Sequence, residues 1–302
     1  MAKILISGGS GLIGKAITRQ LLAQGHEVVW TGRTGGQWQQ VRIYKADWRK
    51  NYLEEGAVKE VTHVILLAGA GVMDQRWTAV YKQEILESRV RTIALICAAF
   101  EKTGVWPEVV IGASATGFYG TKKREGEMTE NSAAGKDYLS DVCQQWEAAY
   151  QQFPEQVRLV KPRISIVLSR EGGAFVPLSK LCKAHISAQS GDGTQHLPWI
   201  HVDDLCQFFM RALTDERFAG PYNMVAPEIV TNKYFAEMLA KQSGNRILTP
   251  PAPAFILHLL LGERAVTLTS GLRIRSEQLG KTAFVFKYPK LEEALRDLCS
   301  SL

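Results

Sequence analysis

The sequence predicts an α/β fold, a doubly wound parallel sheet with a smaller, mostly helical C-terminal lobe. Three observations carry that expectation. Short apolar runs alternate with helix-length periodic stretches through the first half of the chain, the first run leads directly into a glycine-rich turn, and the alternation breaks after residue 168.

The first strand is Lys3-Ile4-Leu5-Ile6-Ser7, followed by Gly8-Gly9-Ser10-Gly11-Leu12-Ile13-Gly14. Glycine at 8 permits the tight turn, glycine at 11 lets the backbone approach a pyrophosphate, and glycine at 14 lets the next helix lie close on the sheet. Free N–H groups and the positive end of the helix dipole then face the diphosphate. The helix runs from Leu12 to Gln24, with Leu12, Ala16, Ile17, Leu21 and Leu22 on one side, and Gly25-His26 closes it before a second strand, Glu27 to Thr31.

The end of that second strand selects the cofactor. An acid at this point, roughly 20 residues beyond the glycines, would bind the ribose 2′-hydroxyl of NAD. This chain has Gly32-Arg33-Thr34 instead, and a guanidinium grips a phosphate in a fork, so the reading is NADP(H). A solvated loop cation is the bland alternative for Arg33. Asp47 closes a third strand, Arg42 to Ala46, where an adenine contact and an ordinary turn aspartate fit equally well.

A fourth strand is expected at His63 to Ala68 and a fifth at Glu108 to Ala113, with one long helix, Trp77 to Thr103, between them. Such alternation specifies a parallel sheet with right-handed crossovers. A sixth strand falls in Val157 to Leu168, where Pro162 must occupy a bulge or an edge. Beyond it, Gly172-Gly173 opens a helix through Phe175 to Lys183, and Trp199-Ile200-His201-Val202 reads as a short strand. Asp203 or Asp204 can cap the helix that follows, Leu205 to Leu213. Residues Pro221 to Val225 return to strand, and the remainder is helical around Pro250-Pro251-Ala252-Pro253. This divides the chain into a dinucleotide domain, 1–168 with 199–226 returning to it, and a lobe made of 169–198 and 227–302.

Composition narrows the function classes. A chain of 302 residues buries a large core. The formal charge of +6 is mild and suits an anionic small molecule. Its tight basic cluster, Lys122-Lys123-Arg124, is followed at once by Glu125 and Glu127 and lacks interleaved aromatics, so no nucleic-acid partner is expected. Five scattered cysteines, at 97, 143, 182, 206 and 299, indicate a reducing compartment. The six histidines show no metal-ligand spacing, so no metal is expected. With no presequence before the first strand and no bilayer-length apolar run, the expected location is cytoplasmic, with no membrane partner. Monomer and homodimer both stay open.

Several stretches together resemble the extended short-chain dehydrogenase/reductases, the superfamily of sugar-nucleotide epimerases and dehydratases. The resemblance is closer to their atypical branch, often labelled "epimerase family protein", which carries a C-terminal domain of unknown function. The matching residues are the Gly8 to Gly14 turn, Leu67-Ala68-Gly69-Ala70, Ile85-Leu86-Glu87-Ser88-Arg89 and Ser114-Ala115-Thr116-Gly117-Phe118-Tyr119-Gly120. They continue in Trp146-Glu147, Trp199 to Asp204, Asn223-Met224-Val225-Ala226-Pro227, and a tail running from Pro250 through Leu261-Gly262-Glu263 and Gly271 to Phe286-Lys287-Tyr288-Pro289. Essentially the whole chain is covered. The resemblance implies a Rossmann sheet and cofactor contacts at Gly8, Gly11, Leu12, Ile13, Arg33, Asp47, Ala68 and Gly69. The turn residue Ser10 is a further candidate.

The resemblance also shows what is missing. Active members place a hydroxyl residue after the fifth strand, and here that position is Ala115, flanked by Ser114 and Thr116. Their Tyr-x-x-x-Lys helix matches Tyr138-Leu139-Ser140-Asp141-Val142, with valine for the lysine; alignment on Glu147 instead gives Leu139 and Cys143. Without the lysine, a tyrosine of pKa ~10 is a proton donor and a poor base at neutral pH. Ser114 and Tyr138 are therefore the catalytic candidates, and reduction by NADPH is easier than alcohol oxidation; Tyr138 reads equally well as a packing aromatic. Arg163 and the Ser88-Arg89 pair are candidates for phosphate or the nicotinamide amide, with surface salt-bridging an equal alternative. His201 beside Asp203 reads as a strand-end residue more readily than as an acid–base pair. Two functions follow: an NADP(H)-dependent oxidoreductase or nucleotide-sugar-epimerase-like enzyme on a small molecule, or an NADP(H)-binding sensor that has lost its chemistry.

Overall fold

The computed structural model describes residues 1–122 and 124–300, so Lys123 of the basic cluster lies outside the described residues. In chain order the elements are β1 (Lys3–Ser7), α1 (Leu12–Ala23), β2 (Glu27–Gly32), β3 (Gly36–Trp38), β4 (Val41–Asp47), β5 (Tyr52–Leu53), β6 (His63–Leu66) and α2 (Ala79–Thr103). Then come β7 (Val109–Gly112), β8 (Ser114–Ala115), α3 (Tyr138–Ala149), β9 (Arg158–Ile164), β10 (Ile166–Ser169), β11 (Gly172–Gly173), α4 (Phe175–Lys183), β12 (Trp199–His201) and α5 (Val202–Thr214). The chain ends with β13 (Gly220–Met224), α6 (Asn232–Gln242), α7 (Ala254–Leu261), α8 (Val266–Thr269) and α9 (Leu291–Cys299).

The large sheet runs in the order β13-β9-β7-β6-β1-β2-β4-β3. Its pairs are parallel apart from two antiparallel additions to β4, made by β3 and β5. The order departs in both directions from β1, and this doubly wound pattern opens a crevice beyond the carboxyl end of β1. Two apolar layers cover the sheet. Ile4, Ile6 and Trp30 pack on one face with Ile17 and Leu21 of α1 and Leu205 and Phe208 of α5. Leu5, Val29 and Val110 pack on the other with Ile93 and Ile96 of α2 and Trp146 of α3. Alternate residues of β1 thus enter opposite cores, as the two-residue period of a strand requires.

Two local expectations change. The edge strand β3 has no apolar signal, because Gly36 and Gln37 are exposed and only Trp38 packs inward, stacked on Trp30 with ring centroids 4.8 Å apart. The stretch 157–168 divides at Ser165: β9 stays in the large sheet, while β10 joins β11 and β12 in a second, three-stranded sheet. Pro162 needs neither bulge nor edge. The ladder between β7 and β9 ends at Val160 and resumes with β8 at Arg163, so the missing N–H falls in the interruption. A third apolar cluster joins Leu168, Phe175, Trp199 and Phe235 to Leu295 and Leu298 of α9.

The tail is fastened by Asp204, one of the two aspartates expected to cap the helix after β12. Asp204 is fully buried and accepts from the backbone N–H groups of Lys287, at 2.6 Å, and Tyr288, at 3.1 Å. His201 supplies the cap instead, its Nδ1 accepting from the Asp203 N–H at 3.1 Å. Asp203 receives the Lys287 ammonium at 2.7 Å. No helix among the described residues is long and apolar enough to cross a membrane. Asp204→Ala leaves two backbone donors without a partner, so unfolding free energy should drop by roughly 2–4 kcal/mol in equilibrium denaturation; a change within about 0.5 kcal/mol would mean the tail does not depend on this carboxylate.

Candidate dinucleotide cleft

Beyond β1 the chain enters Gly8 at φ +76°, in the left-handed region that favours glycine. Packing closes the alternatives as well. A Cβ at Gly8 would stand 2.9 Å from the Ala68 nitrogen, and one at Gly14 would stand 2.6 Å from the Gly8 carbonyl oxygen. The turn, the start of α1 and the loop after β6 therefore meet at backbone distance. Gly9, which sequence reading gave no role, makes room for Trp30: a Cβ there would fall 2.3 Å from the indole. That indole donates to Thr18 Oγ1 at 2.9 Å, and Thr18 donates to the Gly14 carbonyl at 2.7 Å, which holds α1 on the sheet.

Gly11 begins α1 with no side-chain cap and no acidic residue in the first turn. The first-turn N–H groups and the positive helix end are left to a cleft of about 400 Å³ whose walls include Gly8, Gly11, Leu12, Ile13, Leu67 and Gly173. Ser10 is exposed at the tip of the turn. These residues fit a diphosphate, because the cradle is open where a phosphate would sit and is lined by backbone donors.

On the β2 side, Arg33 is exposed and has no hydrogen bond or ion pair among the described residues. Asp47 ends β4 and caps the short turn that follows, accepting from the Arg49 N–H at 3.0 Å. Sequence reading missed Glu54, which approaches the loop after Arg33 at Gly35. It is already engaged: it accepts from the Lys45 N–H at 2.8 Å and pairs with Arg42 at 3.0 Å, and these contacts hold its pKa below the usual value. On the β6 side, the Leu67 N–H donates to the Ser7 carbonyl at 3.0 Å, and the Ala68 N–H reaches Ser7 Oγ at 3.4 Å.

The catalytic candidates are committed to other partners. Ser114 is buried and donates to Glu147 Oε1 at 2.7 Å. Arg163, 4% exposed, lies in the same cluster rather than at the cleft, and the expected cofactor contact gives way to a structural ion pair. Its Nε and Nη2 donate to the two Glu147 oxygens at 2.8 and 2.9 Å, and Nη1 donates to the Tyr119 hydroxyl at 2.9 Å. The guanidinium carbon also lies 3.5 Å from the Phe118 ring centroid. Burial works against the Arg163 cation, but the hydrogen bond and charge of Glu147 outweigh it and raise its pKa. The signal in the sequence for this role is Glu147, an acid on the helix that faces β9.

Tyr138 is half-buried at the start of α3, packed on Trp77 with centroids 5.1 Å apart, and its hydroxyl donates to the Lys82 carbonyl at 2.9 Å. Burial pushes its pKa to about 12. Cys143, one turn along α3, is buried, and desolvation pushes its thiol up to about 12, with Arg89 the cation that opposes this most. An anion cradle at the start of α1 and an exposed cation after β2 thus stand on one side, and protonated Tyr138 and Cys143 lie on α3. No cluster of three or more His, Cys, Asp or Glu suited to a metal ion is found among the described residues.

Because the Glu147–Arg163 pair is sealed from solvent, Glu147→Gln strands a buried cation and should cost about 3–5 kcal/mol of unfolding free energy, against roughly 1 kcal/mol for Ser114→Ala. Equal, small losses in urea titration would show that the pair does not hold α3 to β9.

Comparison with known proteins places this architecture. Residues 4–225 match the NAD dependent epimerase/dehydratase family, and residues 252–298 match a domain of unknown function, DUF1731. An epimerase family protein of Staphylococcus aureus (strain bovine RF122 / ET3-1) is 30% identical over 301 residues, covering 99% of this chain and 100% of the relative. The chloroplastic SDR39U1 homolog of Arabidopsis thaliana is 32% identical over 311 residues, covering 97% and 85%. The crystal structure of human epimerase family protein SDR39U1 with NADPH superposes with a TM-score of 0.90 at 28% identity, covering 99% of this chain and 100% of that one. The uncapped glycine turn, the doubly wound sheet and the DUF1731 tail agree with these matches, and the chain belongs to the NAD dependent epimerase/dehydratase family.

Proposed function

We propose that this chain is an NADP(H)-dependent oxidoreductase with an epimerase-like site for a small, anionic molecule. The observation that carries the reading is the unpaired Arg33 beyond β2, on the adenosine side of an uncapped α1. In this reading Gly8, Ser10, Gly11, Leu12 and Ile13 hold the diphosphate through backbone donors, and Arg33 forks onto the 2′-phosphate. Asp47 keeps one carboxylate oxygen for the adenine, since Oδ1 is used by Arg49. Ala68 and Gly69 form the opposite wall. The lobe formed by 169–198 and 227–302 covers the substrate side.

NADPH, when bound, supplies a hydride. The chain's own share is to position a carbonyl compound, exclude water and provide a proton donor. Tyr138 is suited to donation alone: with its pKa near 12 it stays protonated through neutral pH, and the switch away from the Lys82 carbonyl would bring its hydroxyl to substrate. The second reading, an NADP(H) sensor without turnover, draws on the same geometry. Both candidate hydroxyls, Ser114 and Tyr138, are spent on protein acceptors.

Calorimetry with NADPH and NADH tests the cofactor reading, with an expected preference for NADPH that Arg33→Asp reduces by about tenfold or more. Equal affinity for the two nucleotides in the unaltered chain contradicts it. Incubation with NADPH and a panel of carbonyl compounds separates the two functions: consumption of NADPH that Tyr138→Phe abolishes supports the enzyme, and tight binding without consumption supports the sensor.

A further inference from the structure

The α3 helix lacks the lysine of the family pattern, and the register set by Glu147 puts Cys143 in its place. The structure brings a cation to this point from a different element. Arg89, on α2, donates through Nη1 to the Ala70 carbonyl at 3.0 Å and to the Ile85 carbonyl at 2.6 Å. Its guanidinium carbon stands 4.7 Å from the Trp146 ring centroid on α3. The neighbouring Ser88 accepts from the Ala70 N–H at 2.9 Å, so adjacent α2 side chains hold both polar groups of that peptide residue. Gly69 leaves the space the guanidinium fills, since a Cβ there would fall 2.8 Å from Cζ.

This cation differs from Arg33 in being held by the protein. No carboxylate forms a salt bridge with it among the described residues, and burial lowers its pKa, with Cys143, Tyr150 and Tyr138 among the groups its charge acts on. Two nitrogens, Nε and Nη2, donate to nothing among the described residues, yet neither is sealed from solvent. A guanidinium held at one nitrogen, with two donors still open toward solvent, can take oxygen acceptors.

The sheet order says which acceptors. Arg33 and Asp47 lie on the β2 and β4 side of the turn after β1, whereas Gly69, Arg89, Tyr138 and Cys143 lie on the β6 and β7 side. A dinucleotide centred on that turn extends its adenosine one way and its nicotinamide half the other. We propose that Arg89 binds the ribose hydroxyls of the nicotinamide half through Nε and Nη2, and so supplies from α2 the fixed positive charge that α3 lacks. The inference rests on the NADP(H) reading above and adds a binding residue to it.

The test compares two ligands on the full chain: NADPH, and adenosine 2′,5′-bisphosphate, which has the phosphorylated adenosine and no nicotinamide half. Arg89→Met should weaken NADPH by about tenfold or more and leave the bisphosphate within about twofold, while Arg33→Asp weakens both. Arg89→Lys, which keeps the charge and loses the fork, should fall between the unaltered chain and Arg89→Met. Should Arg89→Met not fold, Arg89→Gln, which can still donate to the Ala70 carbonyl, is read in its place. Unchanged NADPH affinity, or an equal loss with both ligands, overturns the proposal, the latter marking Arg89 as a support for the Ala70 loop. An unaltered chain that binds neither ligand fails the NADP(H) reading itself. One that binds the bisphosphate as tightly as NADPH fails this inference alone.

Discussion

The buried pair of Glu147 and Arg163 is the contact on which the seating of α3 against the sheet depends. Two charges removed from water are costly unless every remaining donor and acceptor is matched, and here the matching recruits four segments. Glu147 comes from α3, Arg163 from β9, Ser114 from β8 and Tyr119 from the turn between β8 and α3. Tyr119 passes the chain of bonds to Asn223 of β13 at 2.7 Å. One network thus fixes the angle of α3 against the sheet and the height of the loop after β7.

The two halves of the cleft are electrostatically different because they are differently solvated. Arg33 projects into water, where it can meet a highly charged phosphate with little desolvation cost and is screened by salt. Arg89 is held against Trp146 and the Ala70 carbonyl, where a cation acts more strongly on neutral oxygen ligands. The neutral side chains around it follow from the same environment: burial keeps Tyr138 and Cys143 protonated. Hydroxyl and thiol groups held protonated in this way can donate hydrogen bonds.

The C-terminal tail belongs to this arrangement through backbone as much as through side chains. Glu130 is buried and takes the Asn223 N–H at 2.9 Å and the Glu277 N–H at 3.0 Å. With Asp204, it makes two carboxylates that bind main-chain donors of the tail to the sheet domain. The interface is therefore built from main-chain donors and buried acids, and neither leaves a periodic signal in a sequence.

The sequence by itself determined the parallel sheet class, the main strands of the first half and the glycine turn, because those depend on local period and on a left-handed backbone at Gly8 that favours glycine. It also located Arg33 at the end of β2, a cation that the structure leaves without a partner among the described residues. Only the tertiary structure decided the fates of Ser114, Arg163, Asp204 and Arg89. Each carries a polar group whose role is fixed by what faces it across 33, 16, 83 or 19 residues of chain. Burial decides whether such a group is a ligand, an ion pair or a tether, and burial is a property of packed layers that no window of sequence contains.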